Sequence, residues 1–328
     1  MVRPLEPFLK AVGDRLASQI QAFDADLGCY AEYALTSHGK QLRPALVGLS
    51  AQASGTLTDA HVTVAVIIEM VHLATLVHDD IIDEATIRRG QPTLAAKWGN
   101  EISVLLGDCL FARALELAAS FPTPDVCRAV SASTNTVCSG ETLQSQQRHK
   151  FTLSRNEYFK VVAMKTGELF ALSCDLGAYL SGAQPAWRTG LRQYGLALGT
   201  AYQVFDDCLD VFGAEKTAGK SLGTDLTKGK ITLPVLLALE QSQPADAARL
   251  KTWLNDWQPE RLPSLLALLE KHQTLDGSRQ AIAEFLEKAR AALLPLPLSS
   301  HLETLKALTD ALQQQSQLLG ATPEPLAT

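Results

Sequence analysis

Val64-Ala65-Val66-Ile67-Ile68-Glu69-Met70-Val71-His72-Leu73-Ala74-Thr75-Leu76-Val77 runs straight into His78-Asp79-Asp80-Ile81-Ile82-Asp83, and this stretch decides the fold. Its apolar residues cover almost the whole circumference of a helix. A helix apolar all round is buried among other helices. Glu69 and His72 interrupt the run, and it is too short to span a bilayer. The same texture continues along the chain: period-2 alternation is hard to find, and helical periodicity is everywhere. Residues 157–181 read as one long helix, and residues 190–212 as another that stops at Gly213. Turn signals stand where helices should end, at Gly90-Gln91-Pro92, Phe121-Pro122-Thr123-Pro124, Gly182-Ala183-Gln184-Pro185 and Gln243-Pro244. Leu293-Leu294-Pro295-Leu296-Pro297-Leu298 reads as a connector before a last amphipathic helix over residues 300–319. Residues 321–328 read as a frayed tail. No composition break marks a linker, so one all-α domain over residues 1–328 is expected.

Composition narrows the function. The chain has 328 residues, 46 % apolar and 20 % charged, with a net charge of −6. That provides a core and no overall basic field for nucleic acid. The cysteines Cys29, Cys109, Cys127, Cys138, Cys174 and Cys208 have no CxxC spacing, and most sit in apolar helical stretches. Reduced, buried thiols are expected there, which favours a cytoplasmic compartment. The beginning of the sequence lacks the apolar core of a signal peptide, so no membrane segment is expected.

Chemistry enters with the acidic clusters. Asp79-Asp80-Ile81-Ile82-Asp83 has a twin in Asp206-Asp207-Cys208-Leu209-Asp210. Residues four apart on a helix share a face, so the first and last aspartate of each cluster point the same way. Such like charges repel, and a purely structural helix gains nothing from them. Converging on Mg²⁺, whose ligands are hard oxygens, they make sense. One such cluster is a solvated acidic turn about as often as a metal site; two, each after a long apolar run, point to metal. Basic residues accompany both: Arg88-Arg89-Gly90 follows the first, Lys220, Lys228 and Lys230 follow the second, and Gly39-Lys40-Gln41-Leu42-Arg43-Pro44 lies near the N-terminus. Any one patch alone is an ordinary exposed loop. Together with metal-holding carboxylates they describe a site for a polyphosphate, bridged by metal and clamped by guanidinium forks.

At this point the chain resembles the trans-isoprenyl diphosphate synthases, over about residues 39–234. The motifs are GKxxRP (39–44), ExxHxxxLxHDDxxD (69–83), RRGxPT (88–93), GD (107–108) and GExxQ (140–144), followed by KTGxLF (165–170), QxxDDxLD (203–210) and GKxxGTDxxxGKxTLP (219–234). Each is degenerate alone; in this order they are specific. The resemblance implies a bundle of long helices around a central cavity, usually as a homodimer. It implies head-to-tail condensation of isopentenyl diphosphate with an allylic diphosphate, with several Mg²⁺ ions bridged by diphosphate. The leaving diphosphate needs its charge neutralised, and the allylic cation needs a dry pocket. By that similarity Asp79, Asp83 and Asp206 are direct metal ligands, and Asp80, Asp207 and Asp210 are weaker or water-mediated partners. Arg88, Lys165 and Lys220 correspond to the clamp on the allylic diphosphate. Lys40, Arg43, His72 and Arg89 correspond to the isopentenyl diphosphate site, with Lys230 closing over it. Thr166 and Gln203 would steady the cation through oxygen dipoles. A lone histidine on an apolar face is more often a core residue, but its place in ExxHxxxLxHDD favours the ligand role for His72. His78 reads as structural, Cys208 as a spacer, and Glu84, Glu141 and Asp225 as partners of the basic residues.

The chain departs from the pattern at Gln41, where a second arginine is common, and at His38, where a glycine is common. No basic C-terminal tail of the kind that closes some relatives' sites is visible. Product length is read from the wall of the groove: Thr75, Ala74 and Val71 lie four, five and eight positions before Asp79, descending at about 1.5 Å per residue. Relatives that stop at farnesyl commonly place a bulky aromatic four or five positions before that aspartate, whereas Ala74 and Thr75 are small. A medium- or long-chain product is expected, with geranylgeranyl second, then farnesyl; Ile67, Ile68, Leu110 or Phe111 could form a lower floor. Three other classes rank behind. A non-catalytic partner subunit typically lacks one or both aspartate motifs, a terpene cyclase should lack Lys40, Arg43, His72 and Arg89, and a metal-storage bundle would want Glu and His on facing helices without the arginines.

Overall fold

The computed structural model describes residues 5–36, 39, 41–213 and 222–320. His38, Lys40, Lys220 and the tail 321–328 lie outside them. The described chain is helical almost throughout. In order come α1 (Glu6–Ser18), α2 (Gly28–Thr36), α3 (Leu42–Ser54), α4 (Asp59–Ile82), α5 (Leu94–Trp98), α6 (Asn100–Ala119), α7 (Asp125–Gln146), α8 (Arg155–Val162), α9 (Glu168–Leu180) and α10 (Pro185–Phe212). There follow α11 (Thr224–Thr227), α12 (Leu233–Gln241), α13 (Pro244–Asn255), α14 (Leu262–Lys271), α15 (Thr274–Ala292) and α16 (Ser300–Leu318). Buried apolar side chains form one continuous cluster from Leu5 to Leu319.

The apolar run is the heart of α4, whose first turn is fixed by the Thr58 N–H donating to His61 Nδ1 at 2.9 Å. By length and composition α4 could cross a membrane, but 72 % of its most apolar window is buried inside the protein. It lies against α3, α6 and α9, while α10 lies across α9 and α15. Glycines set how closely these helices approach. A Cβ on Gly195 of α10 would stand 2.5 Å from the Phe170 carbonyl oxygen, and one on Gly177 of α9 would stand 2.5 Å from that of Val47. Only hydrogen fits between such backbones.

Three expectations change in detail. The long helix expected over residues 157–181 is built instead as α8, a wider π-helical turn over Ala163–Gly167, and α9. Such widenings cluster at functional sites because they re-aim side chains. Here the turn carries Lys165 and Thr166. Secondly, the turn expected at Gly90 is the tip of a small hairpin, β1 (Ile87–Arg88) paired with β2 (Gln91–Pro92). Arg89 at φ 52° and Gly90 at φ 76° have the left-handed pair that a tight two-residue hairpin needs. The cysteines also differ from expectation. Cys174 and Cys208 are buried, with burial pushing each thiol up to about 12, but Cys29 and Cys138 are exposed.

The close packing of α9 on α10 yields a test. Gly195→Ala should cost about 1–3 kcal/mol through overpacking and lower Tm by a few degrees. Gly28→Ala, where an added Cβ meets nothing within 4 Å, should leave Tm unchanged. Equal Tm values by differential scanning calorimetry would refute the packing argument.

Candidate active site

Both acidic clusters sit at the C-terminal ends of helices, the first closing α4 and the second closing α10. A helix C-terminus carries the negative end of the dipole, so carboxylates there are doubly unfavourable without cations. The cations are present. Asp80 receives Arg88 through Nε at 2.8 Å and Nη2 at 2.7 Å. Asp79 faces Lys165 Nζ at 3.4 Å, and Lys165 also pairs with Glu141 and donates to Gln144 at 3.0 Å. Asp83, at the α4 cap, takes Lys230 at 2.6 Å on one oxygen and Arg148 at 2.9 Å on the other.

Protonation follows from these contacts. Burial pushes Asp83 up, but Lys230, Lys165 and Arg148 outweigh it and hold the carboxyl below its usual range. For Asp80 and Glu141 burial wins, raising both despite Arg88 and Lys165. Burial also works against the Lys165 ammonium, yet Asp79 and Glu141 raise it, so it stays charged.

The second cluster is arranged differently. Asp207 is buried; Tyr158 donates to it at 2.5 Å and Gln203 Nε2 at 2.8 Å. Burial, with Asp225 adding to it, lifts the Asp207 carboxyl to about 7 against those two hydrogen bonds. Asp210 is fully buried and accepts from the Thr224 hydroxyl at 2.7 Å and the Asp225 N–H at 3.1 Å, so it pins the first turn of α11. Asp206 is half-buried on the same helix end. Lys230 bridges Asp83 at 2.6 Å and Asp225 at 3.6 Å, and Asp225 in turn donates its N–H to Asp210 of the second cluster. A cavity beside the second cluster is lined by Lys165, Thr166, Gln203, Asp207, Asp225 and Lys230, among others. Within it the Thr166 hydroxyl donates to Gln203 Oε1 at 2.8 Å.

A second basic group gathers around α3, α4 and the hairpin. A Cβ on Gly39 would stand 2.6 Å from Arg89 Nη2, so glycine there lets the guanidinium lie flat against the chain. Arg43 stacks 5.1 Å above the Phe170 ring. Burial lowers its pKa, with buried Glu69 as the opposing charge. His72 is pushed far below its ordinary value, first by burial and then by Arg43, Arg89 and Arg88. It is a neutral imidazole among guanidiniums.

The structure thus brings Asp79, Asp80, Asp83, Arg88, Lys165 and Lys230 together, and Thr166, Gln203 and Asp207 beside them; Arg43, His72 and Arg89 form the adjoining group. Lys40 and Lys220 lie outside the described residues. Glu141 and Asp225 are partners of Lys165 and Lys230, as expected, while Glu84 has only a 3.9 Å approach from Lys228. Of the groove-wall residues, Val71 and Ala74 are buried, and Thr75 is half-buried with its hydroxyl donating to the His72 carbonyl at 2.7 Å. His78 packs at the crossing of α4 and α6, its ring 5.7 Å from that of Phe111 and Nε2 at 3.1 Å from the Val104 carbonyl. Arg148 and Tyr158 escaped the sequence reading. For Tyr158 the available signal was its place two helical turns before Lys165; Arg148, beyond the end of α7, had none.

Among the described residues no three carboxylate, imidazole or thiolate side chains stand close enough to share one ion. The donors nonetheless suit a hard divalent cation. Asp79 and Asp83 offer carboxylate oxygens left 16 % and 22 % exposed, and bases lie against them where a cation's charge could stand.

A family model described as Polyprenyl synthetase matches residues 26–269. The octaprenyl diphosphate synthase of Escherichia coli is 35 % identical over 308 residues, 94 % of each chain. The nonaprenyl diphosphate synthase of Mycobacterium tuberculosis is 37 % identical over 275 residues, 83 % of this chain and 82 % of its own. A Caulobacter crescentus polyprenyl synthase, crystallised with calcium and isoprenyl diphosphate, superposes with a TM-score of 0.90 at 34 % identity, covering 95 % of this chain and 96 % of that one.

The arginine-ringed imidazole is directly testable by NMR. Burial and neighbouring positive charge both oppose protonation, so His72 should stay neutral well below the ordinary histidine pKa of about 6.5. Its ring resonances, assigned by their loss in His72→Gln, should not move between pH 8 and pH 6. A midpoint at or above 6.5 would contradict the arrangement.

Proposed function

The chain belongs to the polyprenyl synthetase family, and from that premise we propose that it condenses isopentenyl diphosphate with an allylic diphosphate, head to tail, into an all-trans polyprenyl diphosphate of medium or long chain. The observation that carries the reading is the Lys230 bridge between Asp83 and Asp225, whose N–H is held by Asp210 at the end of α10, with Arg88 and Lys165 on the first cluster. A polyanion that arrives with metal can replace these partners on both sides at once, metal for the carboxylates and anion for the bases.

Asp79, Asp83 and Asp206 would hold Mg²⁺, with Asp80 and Asp207 oriented behind them and Asp210 fixing the start of α11. When bound, the metal neutralises charge on the diphosphate that leaves the allylic substrate. Arg88, Lys165 and Lys220 bind the same diphosphate, and charge-assisted hydrogen bonds strengthen as negative charge gathers there. The allylic carbon then becomes cationic. Thr166 and Gln203 turn oxygen dipoles towards it, held in place because Gln203 spends its Nε2 on Asp207. Lys40, Arg43, His72 and Arg89 bind isopentenyl diphosphate, placing its double bond to attack the cation. Loss of a proton from the new carbocation completes the chain one isoprene longer. The buried apolar helices keep water from trapping the intermediate.

Length follows from the wall. Small Ala74 and Thr75 leave room where a bulky aromatic would stop the tail, and similarity to octaprenyl and nonaprenyl diphosphate synthases supports the same end. The chain works as one helical unit, as its continuous core supports. Val104, Leu105 and Leu115 on α6 are 43 %, 55 % and 37 % exposed, an apolar stripe that suits a homodimer. Six cysteines that are all free support a reducing cytoplasm.

The protein incubated with Mg²⁺, labelled isopentenyl diphosphate and farnesyl diphosphate should give a ladder of dephosphorylated products ending beyond geranylgeranyl. Asp79→Ala and Asp206→Ala should each cut turnover at least about a hundredfold with the fold intact. A stop at geranylgeranyl would overturn the length assignment, and near-normal rates in either variant the metal assignment. No incorporation with any allylic starter would overturn the synthase itself.

A further inference from the structure

The corner between α7 and α8 carries a cation for which the proposed reaction has no role. Arg148 donates through Nη2 to Asp83 Oδ1 at 2.9 Å and to the Ile82 carbonyl at 3.4 Å. Lys230 occupies the other oxygen of Asp83 at 2.6 Å. Both oxygens of the last aspartate in the first cluster are therefore taken by fixed cations. The Arg148 Nε is buried without a hydrogen-bond partner, so Asp83 and the neighbouring carbonyl hold the guanidinium.

The backbone beside it is fastened as well. His149 sits at φ 57°, and its N–H donates to the Gly229 carbonyl at 2.8 Å. Its ring lies so close to Gly229 that a Cβ there would fall 2.1 Å from Nε2. Gly229 immediately precedes Lys230. One corner thus holds Arg148 on Asp83 and fixes the loop that brings Lys230 to the same carboxylate.

We infer that Arg148 is a positioning residue that competes with the divalent cation for Asp83, and so sets how much metal the site needs before it assembles. The inference rests on the proposed function, in which Asp83 is a metal ligand. The guanidinium takes one lone-pair direction of Oδ1 and sets a positive charge beside it, so an ion arriving at that oxygen meets both repulsion and a rival for the carboxylate. Removing Arg148 frees the oxygen without stranding the carboxylate, because Lys230 still neutralises it.

Mn²⁺ serves as the probe, since the free ion is read by electron paramagnetic resonance without turnover. Arg148→Gln should bind Mn²⁺ about two- to fivefold more tightly than the unaltered protein, the range an incompletely buried ion pair supports. Arg148→Lys, which keeps the charge, should bind as the unaltered protein does. In an Asp83→Asn background the Arg148→Gln gain should vanish. Unchanged or weaker binding in Arg148→Gln, an equal gain in Arg148→Lys, or a gain that persists without Asp83 would overturn the competition. Failure of the unaltered protein to hold Mn²⁺ even with inorganic diphosphate present would instead overturn the proposed function, and this inference with it.

Discussion

Everything at the site depends on holding carboxylates at the C-terminal ends of two buried helices. The dipoles of α4 and α10 and the low polarity around them both oppose negative charge there. The protein answers with opposite charge on the first cluster, where Arg88, Lys165, Lys230 and Arg148 each take an aspartate oxygen. On the second it answers with hydrogen bonds, from Tyr158 and Gln203 to Asp207 and from Thr224 and Asp225 to Asp210. That asymmetry prepares an exchange of partners. In the proposed reaction a metal–diphosphate complex would bring cations for the carboxylates and an anion for the bases, so each group of the first cluster would trade one charged partner for another.

The scaffold explains why the exchange can be local. Backbone-to-backbone contacts at Gly177 and Gly195 lock α3, α9 and α10 together, and a Cβ on Gly140 would stand 2.8 Å from the Lys165 backbone nitrogen. That approach seats α7 against the widened turn carrying Lys165 and Thr166. The rigid part therefore presents the side chains, and the adjustments fall to the ends of lysines and arginines.

Much of this was legible in the sequence. The all-round apolar run gave α4, and the paired aspartate clusters with their basic neighbours pointed to the residues of the proposed polyphosphate site, because both signals rest on local spacing. What spacing did not reveal was geometry made by tertiary contact. Asp210 lies in the motif but turns inwards to fasten Thr224 and Asp225. The widened turn at 163–167 has no sequence signature that separates it from ordinary helix. The Arg89–Gly90 hairpin is too short for alternation to register. Arg148 belongs to no motif at all, and only the meeting of α4 with the α7 corner gives it a partner.

The account's central claim is that the two acidic helix ends act together through metal and diphosphate. Diffraction from crystals grown with Mn²⁺ and inorganic diphosphate tests it most directly, because anomalous scattering locates the ions. The account predicts Mn²⁺ at Asp79 and Asp83 and at Asp206, with one diphosphate spanning both sides and Arg88 and Lys165 turned onto it. Diphosphate bound with no ion at either cluster, or ions at one cluster alone, would contradict it.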